Sequence, residues 1–530
     1  MKTSNRWFLA LSAAGMVVTL AGCPEQGVVC REGQTACGEQ CVDTVADNRN
    51  CGACGVQCGG DQVCQAGACS CPPDRAECFD SHGVCTTTQS DVAHCGACGN
   101  ACAAGEVCEA GACLLECAVE GNEPCAGACV NTKTNAQHCG ACGNACPQAQ
   151  SCIDGACQYD LVLACFTNGQ VRGVQAGTLV QGPLQDLGSA PQALARFGAD
   201  TLLAIDGADD RLYQSSWPSL AERAASTTLG DTPNHVLVDG DHVYVINSSS
   251  ATLQVLVKQG DAGAEGIQFA TVGEHSFGSN TFPQVGVKVG TTIYVTLLGD
   301  LGAGATAGQR VVAVDVSDPT APKPGTTWDL TGLTEPFMTG GESLPRPTGI
   351  THANGKLYVA LNNSDSFYSV AGPAAVAVIP LAGGMPTAIP LPADKCRNAA
   401  WVRATGESVV VSCLGQADYS MWPTVLVGQA GVALIQNDEV KDAIEIACAE
   451  GTTTEECPDP FVGRFDIVGG RIFLGDQAAG RLYVVGLDAA AGKLTQLRTH
   501  AEGGGPLNAC PVDPMSGVAN IGDVLGIAAP

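Results

Sequence analysis

Cysteines are the most reactive side chains in this chain, 31 of them in 530 residues, and their spacing is regular. The string Cys51-Gly52-Ala53-Cys54-Gly55 returns at Cys95–Gly99 and again at Cys139–Gly143, a period of 44 residues. Around each string lie eight cysteines: Cys30 to Cys69, Cys71 to Cys113 and Cys117 to Cys157. From the third cysteine of each set the gaps are the same, x9, x2, x3, x5 and x4. Two chemistries use Cys-x-x-Cys. Thiolates at that spacing ligate zinc, and thiols in an oxidising compartment form disulfides. The residue before each string is Asn50, then His94, then His138, and a ligand histidine would not be expected to drop out of one copy. Each copy has an even number of thiols and few large apolar residues, so it needs staples to fold. Disulfides are the expectation. Eight cysteines allow about a hundred pairings, and spacing alone does not choose among them.

Six cysteines follow Cys157, in a region of different texture. Cys396 and Cys413 flank one strand-like run, Cys448 and Cys457 bracket a short segment, and Cys165 and Cys510 stand near opposite ends of that region. All six are disulfide candidates. Other polar groups here could hold a ligand. Asp206, Asn247, Asp300, Asn362 and Asp476 each end an apolar strand-like run. Together they could line a pocket or coordinate a cation such as Ca²⁺; singly, such residues close Asx-turns. Phe337, Phe367, Tyr368, Tyr419 and Trp422 fall in the longest insertions and suit a recognition surface. No Gly-x-Ser-x-Gly elbow, His-Glu-x-x-His or phosphate loop is present. His235 and His352 open strand-like runs in different units, which reads as repeat position rather than a catalytic pair.

The elements that must position these residues follow from the alternation. After Tyr159, one unit recurs: an alternating strand, a tight Gly-containing turn, then a second strand ending in a polar residue. The turns are at 198–200, 239–241, 290–291, 354–355, 406–407, 469–470 and 522–523. Seven units, about 53 residues apart on average, have the spacing of propeller blades. The units, such as Val243-Tyr244-Val245-Ile246-Asn247 with Leu253-Gln254-Val255-Leu256, resemble YVTN and NHL-type propeller repeats. The last unit is incomplete, supplying two strands over Val518–Ile527. Leu161–Phe166 and Gln170–Val174 are expected to complete it, which would remove an open sheet edge. Cys165 and Cys510 would then lie in neighbouring strands of one sheet and could staple the ring.

The N-terminus sets the compartment. Lys2 and Arg6 precede an apolar stretch from Trp7 to Leu20, too short to span a bilayer comfortably. It ends in Leu20-Ala21-Gly22-Cys23, which resembles a bacterial lipobox and implies a diacylglycerol on the Cys23 sulfur. Pro24 follows, not the Asp of inner-membrane retention, so the outer membrane is expected; whether the protein faces the periplasm or the medium stays open. The pattern Cys41-Val42-Asp43-Thr44…Cys51-Gly52-Ala53-Cys54-Gly55, repeated as Cys129-Val130-Asn131-Thr132…Cys139-Gly140-Ala141-Cys142-Gly143, resembles the stigma-specific cysteine-rich family. That resemblance implies a fold type and says little of function.

The expected fold class is all-β: a lipoprotein signal peptide, three small disulfide-rich modules, then a seven-bladed β-propeller. The expected domains are a signal peptide at 1–22, an anchor and linker at 23–29, cysteine-rich repeats at 30–157 (30–69, 71–113, 117–157) and the propeller at 160–530. A net charge of −28 leaves no basic footprint for nucleic acid, and direct adhesion to anionic headgroups is disfavoured as well. The expected role is a binding or scaffolding module for a protein or glycan ligand, held at the membrane by its lipid. The alternative is a propeller enzyme of lyase or lactonase type with a metal-dependent central pocket.

Overall fold

A computed structural model of the chain describes residues 30–526, apart from 31–32, 39, 73–74, 79–84, 104–105, 115–116, 118, 120, 262, 300–306, 335–343, 365–371, 416, 419–424, 427–429, 448–459, 498–505 and 513–518. Cys23, Asp300, Phe337, Phe367, Tyr368, Tyr419, Trp422, Cys448 and Cys457 lie outside the described residues. The chain forms two compact units, Met1–Asn131 and Thr132–Pro530, so the division falls within the third repeat. Among the described residues no helix is long and apolar enough to cross a membrane.

The first unit consists of short hairpins held by disulfides. In the first repeat Thr35–Cys37 pairs with Gln40–Val42, and Val63–Gln65 with Ala68–Ser70. The bonds are Cys30–Cys41, Cys37–Cys54, Cys51–Cys64 and Cys58–Cys69. The second repeat follows the same order with Cys71–Cys85, Cys78–Cys98, Cys95–Cys108 and Cys102–Cys113. The first cysteine thus joins the third, the second the fifth, the fourth the seventh and the sixth the eighth. In the third repeat Cys117–Cys129, Cys139–Cys152 and Cys146–Cys157 keep that order.

One residue of the repeated string is dictated by backbone approach. A Cβ on Gly52 would sit 2.5 Å from the Gly67 carbonyl oxygen, and Gly96 and Gly140 meet Gly111 and Gly155 at the same 2.5 Å. All three also have positive φ, so only glycine fits. Asn50, His94 and His138 do one job. The Asn50 Oδ1 accepts the Gly55 amide at 2.8 Å, the His94 Nδ1 accepts Gly99 at 2.9 Å, and the His138 Nδ1 accepts Gly143 at 3.0 Å. The asparagine-for-histidine exchange between copies is therefore a swap of hydrogen-bond acceptors within a turn.

Among its described residues the second unit carries seven four- or five-stranded antiparallel sheets. Their first strands are β1 (Pro191–Phe197), β2 (Pro233–Asp239), β3 (Pro283–Val289), β4 (Pro347–Ala353), β5 (Ala399–Thr405), β6 (Val462–Val468) and β7 (Ile521–Gly526). Each packs against the next, and β7 packs against β1, so the sheets form a closed ring of propeller type. Proline opens four of these strands, where a missing N–H costs no ladder bond. Tight turns then lead into second strands such as Thr201–Asp206 and Ser408–Cys413, which are buried along their whole length. Hydroxyls staple neighbouring sheets. Ser248 Oγ donates to Pro283 O at 2.6 Å, Thr296 Oγ1 to Thr348 O at 2.7 Å, and Ser412 Oγ to Gly463 O at 2.5 Å.

The seventh sheet joins the two ends of the ring, but not in the expected proportions. Among the described residues Ile521–Gly526 is its one strand from the C-terminal segment, and Leu161–Cys165, Gln170–Val174 and Gln181–Asp186 supply the other three. The expected turn at Gly522-Asp523 is instead mid-strand, because the Asp523 carboxylate accepts the Leu194 amide at 2.8 Å and holds the backbone extended against β1. Gln181–Asp186 carries Gly182 and Pro183, a composition that hides a strand.

Cys165 and Cys510 are bonded with Cα atoms 5.4 Å apart. Cys510 follows Leu507–Asn508, which pairs with Arg481–Asp488 of the sixth sheet. The bond therefore links the seventh sheet to the segment leaving the sixth, and not two strands of one sheet as expected. Cys396 and Cys413 are bonded at a Cα separation of 5.1 Å. The second half of the third repeat rests on the ring. Tyr159 is buried against Gly173, where a Cβ would lie 2.2 Å from its ring, and the Trp217 Nε1 donates to the Gln158 Oε1 at 2.8 Å.

Candidate functional site

The second residue of each early inner strand faces the ring centre, and there the polar side chains converge. A cavity of about 300 Å³ opens at this end, lined by Gln192, Asn234, Gln284, Thr348, Trp401, Arg464, Gln477 and Asn520, with Phe166, Val285 and Leu414 as its apolar part. The Gln192 Nε2 donates to the Asn234 Oδ1 at 2.7 Å. The Asn234 Nδ2 donates to the Gln284 Oε1 and to its main-chain oxygen, both at 3.0 Å. Three sheets are thereby joined by a relay of uncharged carboxamides.

Beneath the carboxamides a charged group plugs the channel. Arg464 donates to Gln192 O at 3.0 Å and Asn234 O at 2.7 Å, and its guanidinium lies 3.9 Å from Asp523. It also stacks over Trp401 at 4.7 Å, while Arg403 covers the same ring at 5.3 Å. His235 meets Trp401 edge-on at 5.7 Å, and its Nδ1 accepts the Gly286 amide at 3.4 Å. Burial, reinforced by Arg464 and Arg403, holds the His235 imidazole well below its usual pKa, so it is neutral at neutral pH. Burial raises the Asp523 carboxyl, and Arg464 and the Leu194 amide pull it back. Two polar atoms in the wall, Trp401 Nε1 and Asn520 Oδ1, are buried and have no hydrogen-bond partner. Such orphans are costly, about 1–3 kcal/mol each.

The strand-end residues lie elsewhere. Asp206 accepts the amides of Ser189, Ala190, Ala208 and Asp209, stapling its own turn. Asn247 donates to the Thr252 Oγ1 at 3.1 Å. Asp476 accepts Ala478 N at 2.8 Å and Ala479 N at 3.2 Å. Asn362 is buried with its Oδ1 unpartnered. These four residues lie in or directly after strands of four different sheets, and none lines the cavity. The four described members of that set therefore do not converge on one cation. Among the described residues, the converging groups of three potential ligands are Cys51/Cys58/Cys69, Cys95/Cys102/Cys113 and Cys139/Cys146/Cys157, whose sulfurs are all in disulfides. His235 and His352 do not share a repeat position: one is the third residue of β2, the other the sixth of β4.

Gln192, Asn234, Gln284, Trp401, Arg464 and Asp523 were not legible as site residues in the sequence. A signal for part of them exists. Pro191-Gln192, Pro233-Asn234, Pro283-Gln284 and Pro347-Thr348 repeat a proline followed by an uncharged polar residue at the start of successive inner strands.

With this geometry in view, residues 110–160 match the Stigma-specific STIG1-like protein family. No curated protein matches the chain. Among solved structures, a protein from Lactobacillus plantarum is similar at 16% identity and a TM-score of 0.46, over 70% of this chain and 100% of that one. A candidate 6-phosphogluconolactonase from Bacteroides fragilis is similar at 12% identity and a TM-score of 0.47, over 69% of this chain and 97% of that one. A second candidate 6-phosphogluconolactonase, from Bacteroides uniformis, is 16% identical with a TM-score of 0.45, over 64% of this chain and 94% of that one. By its own sheets and disulfides the chain is an all-β protein with a disulfide-rich N-terminal region and a propeller-type ring.

Proposed function

We propose that this is a lipid-anchored protein of the bacterial cell envelope, tethered to the outer membrane through Cys23, whose propeller binds a protein or glycan ligand at the ring centre. The observation that carries the reading is the cavity wall. Its described side chains are carboxamides, a hydroxyl, aromatic and aliphatic groups and one arginine, with no carboxylate, imidazole or thiol among them. Such a wall can hold and orient a ligand but offers no general acid–base pair. The channel's imidazole and carboxylate, His235 and Asp523, are buried and engaged with the protein itself. The cysteine-rich repeats that follow the anchor in sequence are held by disulfides.

Two experiments test this. Cys23→Ala should leave the protein unlabelled by radioactive palmitate and shift it from the membrane to the soluble fraction; continued labelling would remove the anchor. Equilibrium dialysis against radiolabelled soluble envelope fragments should show retention by the wild-type protein and not by Ala400→Trp, which fills the cavity. Equal retention by the two would remove the cavity as the site.

A further inference from the structure

We infer that the central cavity takes a neutral, hydroxyl-rich ring, the terminal unit of an uncharged saccharide; this rests on the cavity reading above and names its ligand class. The carboxamides that are still free carry the inference. Among the described residues the Gln477 carboxamide makes no hydrogen bond, and it lies over Gly463, whose Cβ position is only 2.4 Å from Gln477 Nε2. Any side chain at residue 463 would displace it. The Asn520 Oδ1 is likewise without a partner. A carboxamide presents donor and acceptor in one plane, which matches vicinal hydroxyls, since each hydroxyl both donates and accepts. Phe166, Val285 and Leu414 give the same cavity an apolar side for C–H groups. A volume of about 300 Å³ is at the small end for ligand sites and suits one ring-sized group better than a peptide strand.

The electrostatics favour a neutral ligand over an anion. Arg464 is the one charged side chain in the described wall, and it is committed to two main-chain carbonyls, Asp523 and the Trp401 face. The chain as a whole carries −28, which repels anions at low salt. Trp401 is not a stacking platform here, because guanidinium groups cover it at 4.7 and 5.3 Å. Recognition falls to the carboxamides.

The test is calorimetric titration of the full chain in detergent with three probe sets: neutral hexoses and N-acetylhexosamines with their disaccharides, the corresponding uronates, and short peptides. Saturable binding of a neutral saccharide is expected, weakened at least tenfold by Gln477→Leu and by Asn520→Leu with the melting temperature unchanged. Three results overturn the inference: uronates binding more tightly than neutral sugars, neutral binding insensitive to both leucine variants, or no saccharide binding at all. Peptide binding that Ala400→Trp abolishes, without saccharide binding, overturns the inference and leaves the cavity reading standing. If the leucine variants do not fold, the preference of the wild-type protein among the three probe sets decides it.

Discussion

At the scale of single residues, the buried carboxylate of Asp476 has a measurable consequence. Burial raises its pKa to about 6, against the lowering effect of the Ala478 and Ala479 amides and Arg481. In the unfolded chain the same group titrates near 4. The folded state therefore binds the proton more tightly, and this contribution to stability is greatest below about pH 4 and falls as pH rises through about 6. The loss across that window is on the order of 2–3 kcal/mol. Asp476→Asn keeps an acceptor for the two amides and removes the charge. Urea unfolding at a series of pH values should show the variant more stable by about 2 kcal/mol at pH 7.5 and unchanged near pH 4; a parallel profile would refute the assignment. The turn acceptors of the cysteine-rich repeats give a second residue-scale prediction. His138→Asn should preserve amide-exchange protection at Gly143, as Asn50 does for Gly55, whereas His138→Ala should lower it about fivefold, the equivalent of one hydrogen bond near 1 kcal/mol.

At the scale of elements, ring closure rests on strand pairing more than on the covalent bond. Leu161–Cys165 pairs with Ile521–Gly526 along its whole length, while Cys165–Cys510 reaches only the segment leaving the sixth sheet. Replacing both cysteines by serine should lower stability by up to about 4–5 kcal/mol, an upper figure from loop entropy, and leave the fold intact. Deleting residues 161–174 removes two strands of the seventh sheet and should abolish the cooperative transition; a cooperative melt in the deletion would contradict closure by these strands. The hairpins of the ring were legible because each alternating run ends in its own turn chemistry, as at Asp239-Gly240-Asp241. The seventh sheet was misjudged at Gly522-Asp523, where turn-forming residues stay extended because a neighbouring sheet supplies a hydrogen bond that sequence does not display. The candidate site was misjudged for a related reason. Asp206 and Asp476 look like ligand residues by type, but main-chain amides take up both oxygens of Asp206 and the Oδ1 of Asp476. Gln192, Asn234 and Gln284 meet only because a ring brings three distant strand starts to one point. The disulfide order of the repeats was hidden too, since equal spacing constrains which copies correspond and not which sulfurs meet.

At the scale of the whole molecule, much of the ring's polar capacity is spent on joining the ring to itself. Hydroxyls join sheet to sheet, Arg464 reaches strands of two other sheets, and the strand-end carboxylates close turns. In the cavity wall at one end of the channel, the Gln477 carboxamide, the Trp401 Nε1 and the Asn520 Oδ1 are without partners among the described residues. We propose that ligand binds there, and Trp401 sits in that wall as a built-in reporter. With 5-fluorotryptophan incorporated, the Trp401 resonance can be assigned by its loss in Trp401→Phe, and those of Trp217 and Trp328 in the same way. On titration with soluble envelope fragments, the Trp401 fluorine signal should shift saturably while those of Trp217 and Trp328 stay fixed. Fragments that bind the protein while leaving the Trp401 signal unmoved would place the binding site outside the cavity.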